Sequence, residues 1–466
     1  MSDATAPNKT FISDPGDEDD DAGDSSSTIL PLAKDENAPV PALRDVLARI
    51  VNVAGDDKEK AGENEQPVVL LEDPEGLAPK PAIISTWAYA MASLFNGERT
   101  PAEVAVAFEE QYGQKIEVPQ VLDLQRELDK ALFLFSKRFE RSLKKQIHTY
   151  LNNVVRPATH AGSAYPVARD ALQKTIEGFF SSPGGPGSLA DIPQQQISRK
   201  NTVRALVLPH IDLQVGGATY AHGYRELICN SEADLFFILG VAHQNPGQNL
   251  FNVSLKDFET PFGVLKTEHD IALALQTASG ANLTLAELAH RTEHSVEFQA
   301  VLLMSLLSER YKRNIQIVPI LCGSVDHFLT NETNPMKADV FIRFKDALRT
   351  EIDKCKRNWC VLCSVDFSHV GPEFGHSTMM SEHMLPAVER ADKKLLKAME
   401  HLDADSLFQE IARTKNSRHV DAVMAVLTLL QSCDGMLSKG RLLHYDQMLK
   451  DKSHSVVSYA SMVFES

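Results

Sequence analysis

Three apolar runs in this sequence end on imidazole or carboxylate groups. Arg204–His210 reads RALVLPH, with Asp212 two residues on. Asp234–His243 reads DLFFILGVAH, and Trp359–His369 reads WCVLCSVDFSH, which carries Asp366 and closes on His369. The runs have the length and composition of buried strands. In open α/β sheets, ligands collect beyond the carboxyl ends of the strands. Imidazole titrates near neutral pH, so it suits a transition metal or general acid/base work. A lone histidine at a strand end usually serves the framework. Three together predict convergence on one rim.

Two further stretches put polar groups before apolar helices. RTEHSVEFQ supplies Glu293, His294 and Glu297, and Ser295 and Glu297 could equally serve helix entry. NSRHVDAVMAVLTLL supplies Asn416, Arg418, His419 and Asp421. Asp421 is either a helix N-cap or the carboxylate completing a two-His, one-carboxylate face around Fe(II). Cys360 and Cys363 form a CxxC pair, but residues three apart on a strand face opposite ways. With no second pair at zinc-site spacing, they read as core thiols. Gly216-Gly217 could let backbone approach a ligand, without the pattern of a phosphate loop.

The elements that must position these groups follow from the rest of the chain. It has 466 residues and a formal charge of −16. Residues 1–66 hold 16 acidic and 6 basic residues, including the run Asp17–Asp21, and are expected to be a disordered acidic tail. Leu43–Val53 within it could form a short helix. Residues 67–145 are expected to form a small winged-helix-like α+β module. Its helices lie at Ile83–Phe95, Ala102–Tyr112 and Val118–Ala131, followed by a short strand over Leu132–Phe135. Thr100-Pro101-Ala102-Glu103 is a capping box with proline in the first turn.

Residues 146–466 are expected to be one α/β domain, a layered sheet with helices on its faces. Strands are expected at Arg204–Leu208, Leu235–Gly240, Ile315–Leu321, Trp359–Val365, Arg441–Tyr445 and Ser455–Phe464. Helices are expected at Ile271–Thr277, Val296–Leu307, Ala338–Cys355, Pro386–Glu400 and Ala422–Gln431. The folded part lacks the clustered Lys and Arg of a nucleic-acid surface. No run reaches the ~18 apolar residues of a membrane helix. No secretory signal is evident, and six sparse cysteines fit reduced thiols, so a cytoplasmic protein is expected.

A resemblance carries the reading further. THAGSAYP (Thr159–Pro166), LPHID, FILGVAHQ, TPFGVLKTE (Thr260–Glu268), EHSVEFQ, IVPILCG, SVDFSHVG and SVVSYASMVF occur in this order. Together they resemble the Memo family over about residues 155–466. The segment RTPAEVAVAFEEQYG and LDKALFLFSKRF resemble the PqqD-type peptide-binding domain. That pairing is similar to the bacterial form, AmmeMemoRadiSam system protein B.

The resemblance implies a fold similar to class III extradiol dioxygenases and a non-haem metal site holding Fe(II) or copper. It implies metal ligands at His210 and His243, and the catalytic acid/base at His369, with Asp366 beside it. The family's third ligand is usually a Cys near the start of the late helix. This chain has none there: the helix start puts Asp421 in that place, and the local RH match puts Asn416. The family's PHAG is PHID here. The expected function is oxidoreductase or dioxygenase-type chemistry on a small or peptide-linked substrate. The alternatives are a binding or adaptor protein in a radical-SAM-linked modification system, partnered by a peptide, and a metal-dependent hydrolase. Asp212, His294, Glu297 and Asn416 remain further candidates for the pocket.

Overall fold

The computed structural model describes residues 29–44, 46–54, 65–73, 77–78, 80–192, 202–450 and 452–466. Residues 1–28 and 55–64 of the expected tail lie outside these residues; Ala33 and Val40, by contrast, are buried in the core of the first unit, so this part of the stretch is folded and not the disordered tail expected. The chain divides into two compact units, Met1–Gln146 and Ile147–Ser466.

The first unit contains the antiparallel strands β1 (Leu47–Ala54), β2 (Glu65–Glu72) and β3 (Ala82–Ser85), in the order β1-β2-β3. Residues 47–54 are therefore a strand, not the helix expected over Leu43–Val53. The β-branched residues Ile50 and Val51 favour the extended form, and β1 pairs with β2 along its whole length. Helix α1 (Thr86–Ala92) is shorter than expected, because Ala82–Ser85 joins the sheet and Ser85 caps the helix. Helix α2 (Pro101–Tyr112) starts on the Thr100/Glu103 capping box and ends at Gly113 in the left-handed conformation. Helix α3 (Val118–Lys130) follows, and α4 (Lys137–Asn152) carries the chain into the second unit. Leu134 makes only an isolated bridge to Leu43, not the expected strand. Val104, Phe108, Val121, Leu128 and Phe133 form part of this unit's own core.

The second unit is built on an 11-stranded mixed sheet. In chain order it comprises β4 (Val155–Arg156), α5 (Arg169–Ser181), β5 (Val203–Leu208), α6 (Leu213–Asn230) and β6 (Leu235–Val241). Short strands β7 (Phe251–Val253), β8 (Asp257–Thr260) and β9 (Gly263–Thr267) precede α7 (His269–Ser279), α8 (Leu283–His290) and α9 (His294–Leu303). Then come β10 (Gln316–Cys322), α10 (Asp326–Thr330), α11 (Asp339–Lys354), β11 (Trp359–Ser364) and β12 (His369–Val370). Helices α12 (Leu385–Glu400), α13 (Ala404–Thr414) and α14 (Val423–Ser432) lead to the hairpin β13 (Lys439–Lys450) and β14 (Ser455–Glu465). Strands β5, β11, β6 and β10 are adjacent and parallel, with β14 antiparallel against β5.

The central strands are buried on both faces, which is why they read as unbroken apolar runs. Ala205 and Val207 face one core, and Leu206 and Leu208 face the other. The same alternation separates Cys360 from Cys363, each fully buried in a different core. Both are free thiols, and burial pushes both upward in pKa. Helix α6 carries Gly216, Gly217 and Gly223, which lower helix propensity. A Cβ on Gly217 would sit 2.4 Å from Phe179, and one on Gly223 would sit 2.3 Å from Leu208. These glycines seat α6 against α5 and the sheet. That replaces the ligand-approach role expected of Gly216-Gly217. The helix expected over Val296–Leu307 is α9 followed by a π-helical turn, Met304–Arg310. Among the described residues, no helix is long and apolar enough to cross a membrane.

Candidate metal centre

Because β5, β11 and β6 are neighbours and parallel, their carboxyl ends open on one rim. His210 lies two residues past β5, His243 two past β6, and Asp366 two past β11. Helices α9 and α14 begin at the same place, which brings His294 and Asp421 to the rim. His210, His243, His294, Asp366, His369, Asp421 and Asp212 all line one open cleft of about 720 Å³. Phe298, Phe374, Met448 and Val457 supply apolar wall, and His160 and Lys450 complete its polar edge.

His210, His243 and His294 each offer a nitrogen, and these atoms lie within 4.8 Å of one another. The ring centroids of His243 and His294 are 4.8 Å apart in a stacked arrangement, and that of His210 is 4.9 Å from His243. Hydrogen bonding decides which nitrogens face the cleft. Nδ1–H of His210 donates to the Ser364 carbonyl at 3.0 Å. Nδ1–H of His243 donates to the Glu293 carboxylate at 3.0 Å. In both rings this leaves Nε2 directed at the centre.

Asp421 lies across from these rings, with Oδ2 3.2 Å from His210 Nε2 and 4.0 Å from His369 Nε2. Its Oδ1 accepts from the backbone N–H of Asp366 at 2.9 Å. Oδ2 is buried, and His210 and His369 are the groups that face it. A buried carboxylate oxygen is costly unless something satisfies it. Asp421 is not the N-cap of α14; Ala422 holds that position, with no side-chain cap. Asn416 does not line this cleft; it lines an adjoining pocket together with Asp421. Its amide donates to the Val420 carbonyl and accepts from the Val420 N–H, closing the loop.

The charges of the site are strongly coupled. Burial opposes a proton on His210, but the carboxylates of Asp366 and Asp421 outweigh it and raise the group to about 10. Burial likewise opposes charge on His243, and Glu293 reverses the sign and raises it. Burial drives His294 down to about 3, helped by the nearby His210 and His243 rings, so it stays neutral. Asp366 is raised by burial and by repulsion from Asp421, whereas His210 and its neighbours hold Asp421 low against burial. The Nδ1–H of His369 donates to the carbonyls of Phe367 and His419 at 3.1 Å each, leaving Nε2 toward the cleft.

Glu297 is not at the cleft. It is fully buried and pairs with Arg156 at 2.5 Å. It also accepts from the Thr159 and His160 backbone and from the hydroxyls of Thr159 and Tyr165. This clamp fixes Thr159–Pro166 and so sets His160, whose ring meets those of His294 and Phe298 edge-on. Asp212 caps α6 through the Gln214 N–H and stands at the cleft mouth. His160, Phe298, Phe374 and Lys450 were not expected at the site. His160 sits in a loop without periodicity, and only the THAGSAYP motif marked it.

Sequence comparison finds relatives of this chain across the second unit. A family described as Memo-like protein matches residues 156–463. A MEMO1 family protein of Aquifex aeolicus is 27% identical over 396 residues, covering 85% of this chain and 95% of its own length. That alignment is long enough to reach into the N-terminal unit. A MEMO1 family protein of Methanobrevibacter smithii is 26% identical over 317 residues, 67% of this chain and all of that protein. The protein memo-1 homolog of Caenorhabditis elegans is 27% identical over 320 residues, 66% of this chain and 82% of its length. With the family model spanning well over half of its residues, this chain belongs to the Memo-like protein family.

Proposed function

We propose that this chain is a metalloprotein whose cleft holds one Fe(II) or copper ion between His210, His243 and Asp421, with His294 beside them. The observation that carries this reading is the convergence of His210, His243 and His294 nitrogens within 4.8 Å of one another, with Asp421 Oδ2 3.2 Å from His210 Nε2. A cation there would take the place of the proton that His210 shares with Asp421, and imidazole with carboxylate suits iron or copper. The bound metal would bring a small substrate and dioxygen together on its open positions. The protein's part is specific. Ser364 and Glu293 hold the two imidazoles with Nε2 outward. Phe298, Phe374 and Met448 give the cleft an apolar wall against which a substrate would pack. His369, anchored through Nδ1, keeps Nε2 free to take or return a proton, with Asp366 and Asp421 balancing the charge.

Purified full-length protein is expected to hold about one metal ion per chain, lost in both His210→Ala and His243→Ala. Retention of metal by both folded variants removes the reading. A hydrolase built on the same ligands would turn over without oxygen, so oxygen consumption during turnover separates the two chemistries.

A second reading, an adaptor that captures a peptide for a radical-SAM-linked system, draws on the N-terminal unit. There Trp87, Phe108 and Tyr112 form an aromatic cluster, with Trp87 49% and Val106 57% exposed. Peptide binding that survives His243→Ala and is lost on deleting residues 67–145 supports it.

A further inference from the structure

Glu293 makes contacts out of proportion to a helix cap. It is the N-cap of α9 and only 5% exposed. Its Oε1 accepts from the Ser295 N–H at 2.9 Å, as a cap should. Its Oε2 accepts from the His243 backbone N–H at 3.1 Å, tying the end of β6 to the start of α9. Both oxygens lie 3.0 Å from His243 Nδ1, and Oε1 lies 3.3 Å from Nδ1 of His294. One carboxylate thus touches two of the three imidazoles, each on the nitrogen that Glu293 faces.

We infer that Glu293 is the positioning residue of the metal centre, selecting the Nδ1–H tautomer of His243 and fixing the His243 and His294 rings as a pair. The inference rests on the metal reading above for its consequence, but not for its geometry. A carboxylate can only accept, so each N–H aimed at it must be a donor. The donors number at least three: two backbone amides and the His243 ring. A glutamine of the same shape would turn an NH2 group on one of them. The ring could relieve that clash by moving its proton to Nε2, which is the atom the metal needs. Outer-sphere partners of this kind are typically worth ~10–100-fold in metal affinity.

The test uses the full chain with Glu293→Gln and Glu293→Asp, and Co(II) as the probe metal under anaerobic conditions. Helix α8 has an ordinary cap, Asn282, which accepts from the Leu285 N–H. Asn282→Ala therefore serves as a control for cap loss alone. The expected result is a ~10–100-fold loss of Co(II) affinity in Glu293→Gln, with no loss in Asn282→Ala. Nitrogen-15 spectra of the metal-free wild type, recorded at alkaline pH where the His243 ring is neutral, should show its proton on Nδ1, and those of Glu293→Gln should show it moving to Nε2. A folded Glu293→Gln protein with wild-type affinity and tautomer overturns the inference. If that variant does not fold, the wild-type spectrum decides: a His243 proton on Nε2 overturns the inference, and one on Nδ1 supports it. Failure of wild type to bind Co(II) or Fe(II) would remove the metal reading, while the tautomer measurement would still judge Glu293.

Discussion

At His210 a proton and the proposed metal would compete for one atom. In the metal-free protein it keeps its proton up to about pH 10, against 6.5 for an ordinary imidazole. A histidine with a raised folded pKa adds stability that is complete below about 6.5 and disappears as pH rises toward about 10. A metal ion must displace that proton, so its affinity should climb through the same window. Titrating Co(II) into weakly buffered protein at pH 8 is predicted to release about one proton per ion bound. Binding without proton release contradicts the assigned protonation. A second prediction concerns Asp421, the proposed carboxylate ligand. Asp421→Cys should shift preference from Fe(II) toward Cu(I), because thiolate is the softer donor. Competition between the two metals measures it. His210, His243, Asp366 and His369 were readable because each follows a buried strand whose apolar run marks its end. Glu293 and His160 were harder to place, because loop residues carry no period and their roles depend on partners 50 and 137 residues away.

At the scale of elements, the site depends on groups that never touch it. The buried Arg156–Glu297 pair pins Thr159–Pro166 to α9. Removing one partner of a buried ion pair leaves the other uncompensated, at a cost of ~3–5 kcal/mol. Glu297→Ala should therefore lower the urea midpoint strongly, and a neutral result would contradict the clamp. Helix α6 makes a similar point through packing. Gly223→Ala would place a methyl 2.3 Å from Leu208. Such overpacking usually costs ~1–3 kcal/mol, which chemical denaturation can read. The same glycines hid α6 from the sequence, since three in 18 residues argue against a helix until the tight packing is known. Strands β7, β8 and β9 were missed for a different reason: at three to five residues they are too short to show alternation. The long apolar strands and amphipathic α11 and α12 were legible to within a few residues.

At the scale of the molecule, the cleft belongs to the second unit alone, since every residue lining it lies between His160 and Val457. Each unit also has its own core. A chain of residues 147–466 is therefore predicted to bind Co(II) within about threefold of the full-length affinity; threefold is ~0.65 kcal/mol. Loss of binding in that fragment, with folding retained, would contradict an independent site. The charge of −16 has no visible part in this chemistry. What matters is the small set of polar groups around His210, where Asp366 and Asp421 share one rim with His243, His294 and His369. The central claim is that this set exists to hold a metal. Elemental analysis of full-length protein after anaerobic dialysis against Fe(II) tests it most directly. The account predicts about one iron per chain, absent from the His210→Ala/His243→Ala double variant. Wild-type protein that retains no more iron than the double variant would contradict it.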